Sequence, residues 1–147
     1  MQFKTHLLFG LFLGLFTLPI LNPANSILFV CLVLLGSAMP DIDHPNSKMG
    51  RLFKPIGWLF EHRGFFHSIF PVLLLLLLTK LYSPLFLPFA IGYISHILID
   101  MTTKQGILLI HPIVNVKVSG FIKTGGILEW FVFMILILAN IYLIISL

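Results

Sequence analysis

The sequence predicts an all-α fold: a small polytopic membrane bundle of about five helices, with a polar metal-binding layer at the cytoplasmic side. Three observations predict it. Of the 147 residues, 59% are hydrophobic and only 10% are charged, whereas a soluble domain carries about a quarter charged residues. The apolar residues fall in long runs, 7–21, 27–39, 65–78, 85–99 and 127–147, nearly free of charge. The acidic residues and histidines gather at the ends of these runs instead of being spread along them.

A spanning helix needs roughly 20 apolar residues. Only 127–147 reaches that length outright; the others must borrow flanking residues, and the first two are the least expected to span fully. Gly10 and Gly14, four apart in the first run, suit close helix approach. Asn22-Pro23-Ala24-Asn25 supplies a tight turn to the second run. Lys4, the first run and the small-residue stretch Ala24-Asn25-Ser26 also fit a signal peptide, whose removal would delete His6. Cys31, the single cysteine, excludes an internal disulfide and a cysteine-based zinc site. Pro40 closes the second helix and opens a polar segment to residue 64. Ser83-Pro84 joins the third and fourth helices, and Gly125-Gly126 ends a second polar segment, 102–126. A membrane barrel is disfavoured because runs such as 72–78 do not alternate. Neither repeat nor linker divides the chain, so residues 1–147 read as one domain.

The net charge of +4 reports topology. Lys48, Arg51, Lys54 and Arg63 lie in 40–64, Lys104, Lys117 and Lys123 in 103–125, and Lys4 at the start; only Lys80 falls on the opposite side. By the positive-inside rule the N-terminus faces the cytoplasm and the C-terminus faces out. The basic segments suit anionic lipid headgroups, so membrane lipid is the expected partner and nucleic acid is not.

Three motifs carry chemistry. In Pro40-Asp41-Ile42-Asp43-His44-Pro45, two carboxylates sit close enough to repel unless a cation lies between them. A solvated turn with Asp capping backbone amides is the plainer alternative. Glu61-His62-Arg63-Gly64-Phe65-Phe66-His67-Ser68 places His67 at the start of the third helix. Its histidines are five apart, which is not the zincin pattern of two histidines four apart on a helix. In Tyr93-Ile94-Ser95-His96-Ile97-Leu98-Ile99-Asp100, His96 and Asp100 share one helix face. Ionisable groups inside a membrane helix are costly and mark function by default. With five alternating helices, His6, Asp41, Asp43, His67, His96, Asp100 and Glu129 all fall at one depth, which favours a metal centre. His111 is left as a loop residue.

These stretches, with His6-Leu7-Leu8-Phe9, residues 106–112 and Gly126-Ile127-Leu128-Glu129, resemble the membrane-bound metal-dependent hydrolases of bacteria and archaea, inner-membrane type. That family is held to be distantly similar to zinc-dependent phospholipase C and the S1/P1 nucleases. The resemblance implies a helical core holding divalent metal through His6, Asp41, His67, His96 and Asp100, with Asp43, His62 and Glu129 as further ligands. Phe66 stands where threonine is common, and His111 where tryptophan is expected. The implied activity is hydrolysis of a phosphoester, such as a lipid headgroup, by metal-activated water. Asp43 or Glu129 would act as general base and Arg63 would clamp the phosphate. Nitrogen and oxygen ligands without thiolate suit zinc first, and manganese or iron also. Two other readings are a metal-handling or transport protein, and a non-catalytic scaffold whose polar layer only holds the helices together.

Overall fold

In lipid an apolar run must satisfy its own backbone amides and carbonyls, and the helix is the local way to do so. The computed structural model describes residues 1–44, 47, 49–51 and 63–147. Its helices are α1 (Phe3–Leu21), α2 (Ser26–Ala38), α3 (Ile69–Leu81), α4 (Phe86–Met101) and α5 (Ile127–Ser146). Local chemistry sets their ends. Asn22 adopts the left-handed conformation (φ 41°) and donates its N–H to Leu18 O, closing α1. The Asn25 side chain accepts from Leu28 N at 2.9 Å and opens α2. After Ala38 the chain tightens into a 3₁₀ turn, Met39–Asp43, with Pro40 near its start.

The third helix begins later than the apolar run suggests. Phe65–His67 forms a separate 3₁₀ turn, and Ser68, extended, accepts from Phe70 N to cap α3. His67 therefore sits before the helix, not in it. The last run is long enough to span, as expected, but the expectation about the first two is reversed. α1, the rod formed by Ser26–Asp43, and α5 have the length and hydropathy to cross a membrane, while α3 and α4 are shorter. The 3₁₀ turn supplies the missing length of the second rod.

The helices pack as a central trio, α1, α2 and α4, flanked by α3 on α4 and by α5 on α1. The tightest crossing joins α2 to α4. A methyl group on Gly36 would overlap the Phe89 carbonyl, and one on Gly92 the Val33 carbonyl. Backbone touches backbone there, as small residues permit in membrane bundles. Gly10 of α1 packs against the Ser37 side chain, and Gly14 against that of Val33. Between α4 and α5, Ile107–Leu108 (β1) pairs antiparallel with Lys117–Val118 (β2). Just past β1, Leu109 O accepts from Ile69 N at 2.9 Å, tying this hairpin to the start of α3. Beneath it Val72, Tyr93, Ile97 and Ile107 form a buried apolar cluster, and the Tyr93 hydroxyl donates to Phe66 O at 2.6 Å.

Because Gly92 meets backbone, not a yielding side chain, Gly92→Val is expected to cost at least about 1–3 kcal/mol. A thermal melt in detergent should show the loss, whereas Leu81→Val on the exposed end of α3 should leave the melting temperature unchanged.

Candidate metal centre

The packing of α2 on α4 determines where His96 points. Its Nδ1 lies 2.8 Å from the Ser37 carbonyl, an acceptor, so Nδ1 carries the proton. The Nε2 lone pair is thereby directed into the bundle. His96 is 0% exposed, and among the described residues Nε2 has no hydrogen-bond partner. One turn on, Asp100 aims its carboxylate at the same space, with Oδ2 3.8 Å from His96 Nε2.

Other elements close the cluster. The 3₁₀ turn after α2 brings Asp41 Oδ1 to 3.7 Å from His96 Nε2 and 3.8 Å from His67 Nε2. The turn before α3 brings His67 Nε2 to 3.8 Å from Asp100 Oδ2. α1 supplies His6, whose ring stacks on that of His96 with centroids 3.7 Å apart and whose Nε2 is 3.4 Å from Asp100 Oδ1. His6 Nδ1 is also buried and, among the described residues, has no hydrogen-bond partner. The Met1 amino group sits 2.6 Å from Asp100 Oδ1.

These residues fit a metal ion. Two donor triads, His6/His96/Asp100 and Asp41/His67/His96, share His96, and within each triad the donor atoms lie within 4.8 Å of one another. Four nitrogen–oxygen separations of 3.7–3.8 Å are too long for hydrogen bonds. They lie just above the edge of a tetrahedron with arms of 2.0–2.2 Å, about 3.3–3.6 Å. Imidazole lone pairs and carboxylate oxygens facing one another across that gap are the donor set that zinc, manganese or iron takes.

The remaining expected residues take different places. Asp43, anticipated as ligand or general base, stands behind His67 and not in the gap. Its Oδ2 lies 3.1 Å from His67 Nδ1 and accepts from Arg63 N at 3.1 Å. That carboxylate–histidine arrangement orients a ligand from outside the inner set. Glu129 is also away from the gap. Its Oε1 accepts from Gln2 N at 2.6 Å and Thr5 Oγ1 at 2.9 Å, and its Oε2 from Gly125 N at 2.6 Å. It thus ties the start of α5 to the start of α1. Arg63 does border the cluster. One guanidinium nitrogen is 3.4 Å from Asp100 Oδ2, and the other donates to Gly106 O at 3.0 Å. Its backbone lies in the left-handed region (φ 66°), uncommon for a non-glycine residue. His62 lies outside the described residues, and His111 pairs with Asn115, exposed.

Sequence reasoning missed the Ser37 carbonyl, the Gly106 carbonyl and the Met1 amino group, all backbone atoms that carry no side-chain signal. The small-residue run Gly36-Ser37-Ala38 was the one available hint of a close approach at Ser37. A cavity of about 480 Å³ opens beside the cluster, lined by Asp41, His44, Arg63, Gln105, Thr124 and Met1. Asp41 is the residue common to the cluster and the cavity wall.

Fold and site together define a multi-pass membrane protein that keeps a histidine–carboxylate cluster at one end of its bundle. The chain belongs to the YdjM inner membrane protein family, whose pattern matches residues 1–147. It is 36% identical to the inner membrane protein YdjM of Escherichia coli K12 over 129 residues, covering 76% of this chain and 66% of that protein. The Shigella flexneri protein of the same name matches equally. Protein YvsG of Bacillus subtilis is 35% identical, with 74% of this chain and 72% of that protein covered. The chain therefore spans about 66% of the length of the YdjM relatives. No solved structure matches. Relatives and apolar helices together locate the chain in the inner membrane.

Asp43→Asn keeps the shape but weakens the hold on His67, so metal affinity should fall about 10–100-fold in a chelator competition. Glu129→Gln should leave metal content unchanged while lowering stability by about 1–3 kcal/mol in a thermal melt, because three donors lose a charged acceptor.

Proposed function

We propose that this protein is a membrane metallohydrolase acting on a phosphoester, with its site at the cytoplasmic face. The observation that carries the reading is the gap bounded by His67 Nε2, His96 Nε2, Asp41 Oδ1 and Asp100 Oδ2, with separations of 3.7–3.8 Å, opening beside a cavity walled by Arg63. The resemblance to membrane-bound metal-dependent hydrolases supports the same reading, and the basic segments support the cytoplasmic orientation.

Asp41, His67, His96, Asp100 and His6 would hold the divalent cation, zinc first, with manganese or iron also compatible. The bound ion would lower the pKa of water and offset charge on the phosphoryl oxygens. The chain's own groups do the rest. Ser37 and Asp43 hold the outer nitrogens of His96 and His67, keeping both rings aimed inward. Arg63, braced by Gly106 O, presents a guanidinium at the cavity wall, where it pairs with an incoming phosphate. Asp41 borders both cluster and cavity; with Oδ1 turned to the gap, its second oxygen would be the one to take a proton from entering water. This role passes to Asp41 from Asp43 and Glu129, whose oxygens serve other partners.

Elemental mass spectrometry on detergent-purified protein is expected to find stoichiometric metal in wild type and none in a His96→Ala/Asp100→Ala double variant. Metal-loaded protein should hydrolyse p-nitrophenyl phosphate or its diester, and Arg63→Ala should lower kcat/KM about 10–100-fold through the lost charged hydrogen bond. Absence of metal after reconstitution with zinc or manganese would overturn the reading and leave the scaffold.

A further inference from the structure

α4 and α5 both lean on α1 but open a furrow between themselves. It encloses about 350 Å³ and is floored by Phe9 of α1, with Leu98 and Ile99 on one wall and Val132 and Ile135 on the other. At one end it reaches Thr102 and Met1. Thr102 lies two residues beyond Asp100, and Met1 also lines the polar cavity that contains Arg63 and Asp41. The apolar furrow and the polar cavity thus share Met1, whose amino group lies 2.6 Å from Asp100 Oδ1 at the edge of the cluster.

The furrow's walls decide what fits it. Leu98 and Ile135 are 45% and 63% exposed, the first on a short apolar helix and the second on one long and apolar enough to cross a membrane. Such a slot takes a flexible apolar chain, and at its end, among the described residues, stand Thr102 and the Met1 amino group, the latter 2.6 Å from Asp100 Oδ1. Another apolar furrow, of about 210 Å³, is bounded by Leu32, Leu75, Leu85 and Phe89. It lies at the opposite end of the bundle and its lining has no ionisable group, so it offers a comparison for lipid that merely coats the protein.

We propose that the α4–α5 furrow seats the hydrocarbon chain of a membrane lipid whose phosphoester headgroup reaches Arg63 and the His–Asp cluster. This rests on the metallohydrolase reading and gives it a substrate class. The headgroup enters the polar cavity while the chain stays in the furrow. No full extraction of the lipid from the bilayer is required, which avoids a cost of about 0.8 kcal/mol per exposed methylene.

The test uses metal-loaded protein in detergent and phosphatidic acid carrying a diazirine in its acyl chain. After photolysis, labelled peptides are mapped by mass spectrometry. Saturable labelling of segments 98–102 and 132–136 is expected, competed by unlabelled phosphatidic acid and poorly by diacylglycerol, which lacks the phosphate. Leu98→Trp with Ile135→Trp should reduce that labelling at least about tenfold, corresponding to the loss of about 1.4 kcal/mol of affinity. Leu138→Trp, on α5 away from the furrow, should not. Labelling that is non-saturable and equal at the 210 Å³ furrow would mean coating lipid and overturn the proposal. Hydrolysis of p-nitrophenyl phosphate by the same samples is read separately. If that turnover persists without saturable labelling, the furrow proposal falls alone. If labelling is saturable but neither substrate is turned over, the hydrolase reading falls and the furrow remains a lipid site.

Discussion

A carboxylate buried among apolar helices is the constraint around which this molecule is organised. Asp100 is 1% exposed, yet it lies within 3.8 Å of the Met1 amino group, His6, Arg63, His67 and His96. Burying an uncompensated ion costs several kcal/mol even after relaxation. Each helix end that meets Asp100 therefore brings something to offset it, and helix order and loop length follow from that demand. α1 and α3 must start where α4 ends, and the turn before α3 must reach over to present Arg63 and His67. Without this charge the bundle would have little reason to choose one relative depth for its helices, since hydrocarbon does not distinguish one leucine face from another.

The second determinant is the glycine-to-backbone contact between α2 and α4. With Gly36 and Gly92 allowing the two helices to touch, the Ser37 carbonyl comes within reach of His96 Nδ1. One packing contact thus fixes a tautomer, and the tautomer fixes which atom faces the cluster. Packing and chemistry share the same few residues, so tolerance for substitution is low there and higher on the lipid-facing surfaces.

Much of this was legible in the sequence. His96 and Asp100 advertise themselves by a four-residue spacing in an apolar run, and His6, Asp41 and His67 by recurring at the same end of successive helices. The limits are equally physical. Asp41 and Asp43 look like a matched pair, but a 3₁₀ turn carries three residues per revolution, so residues two apart point in different directions. One meets the gap and the other stands behind His67. Glu129 shared the right depth, but depth alone does not distinguish a group facing the centre from one tying Gln2, Thr5 and Gly125 together. The order of helix lengths was also misread. Ser68 stops the third run from extending backwards, while the 3₁₀ turn after α2 lengthens the second.

The brevity of α3 has a mechanical consequence. Its 13 residues rise about 20 Å, against a hydrocarbon thickness of about 30 Å. Leu73, Leu74 and Leu77 are exposed along it, so a bilayer that met α3 across its whole thickness would have to thin by roughly 10 Å. Each copy would therefore sit in a dimple of its own making, at an elastic cost of fractions of a kcal/mol per Å of mismatch. Two dimples that merge deform less bilayer than two held apart. The membrane itself would then supply an attraction between α3 faces that owes nothing to specific contacts and grows as the bilayer thickens.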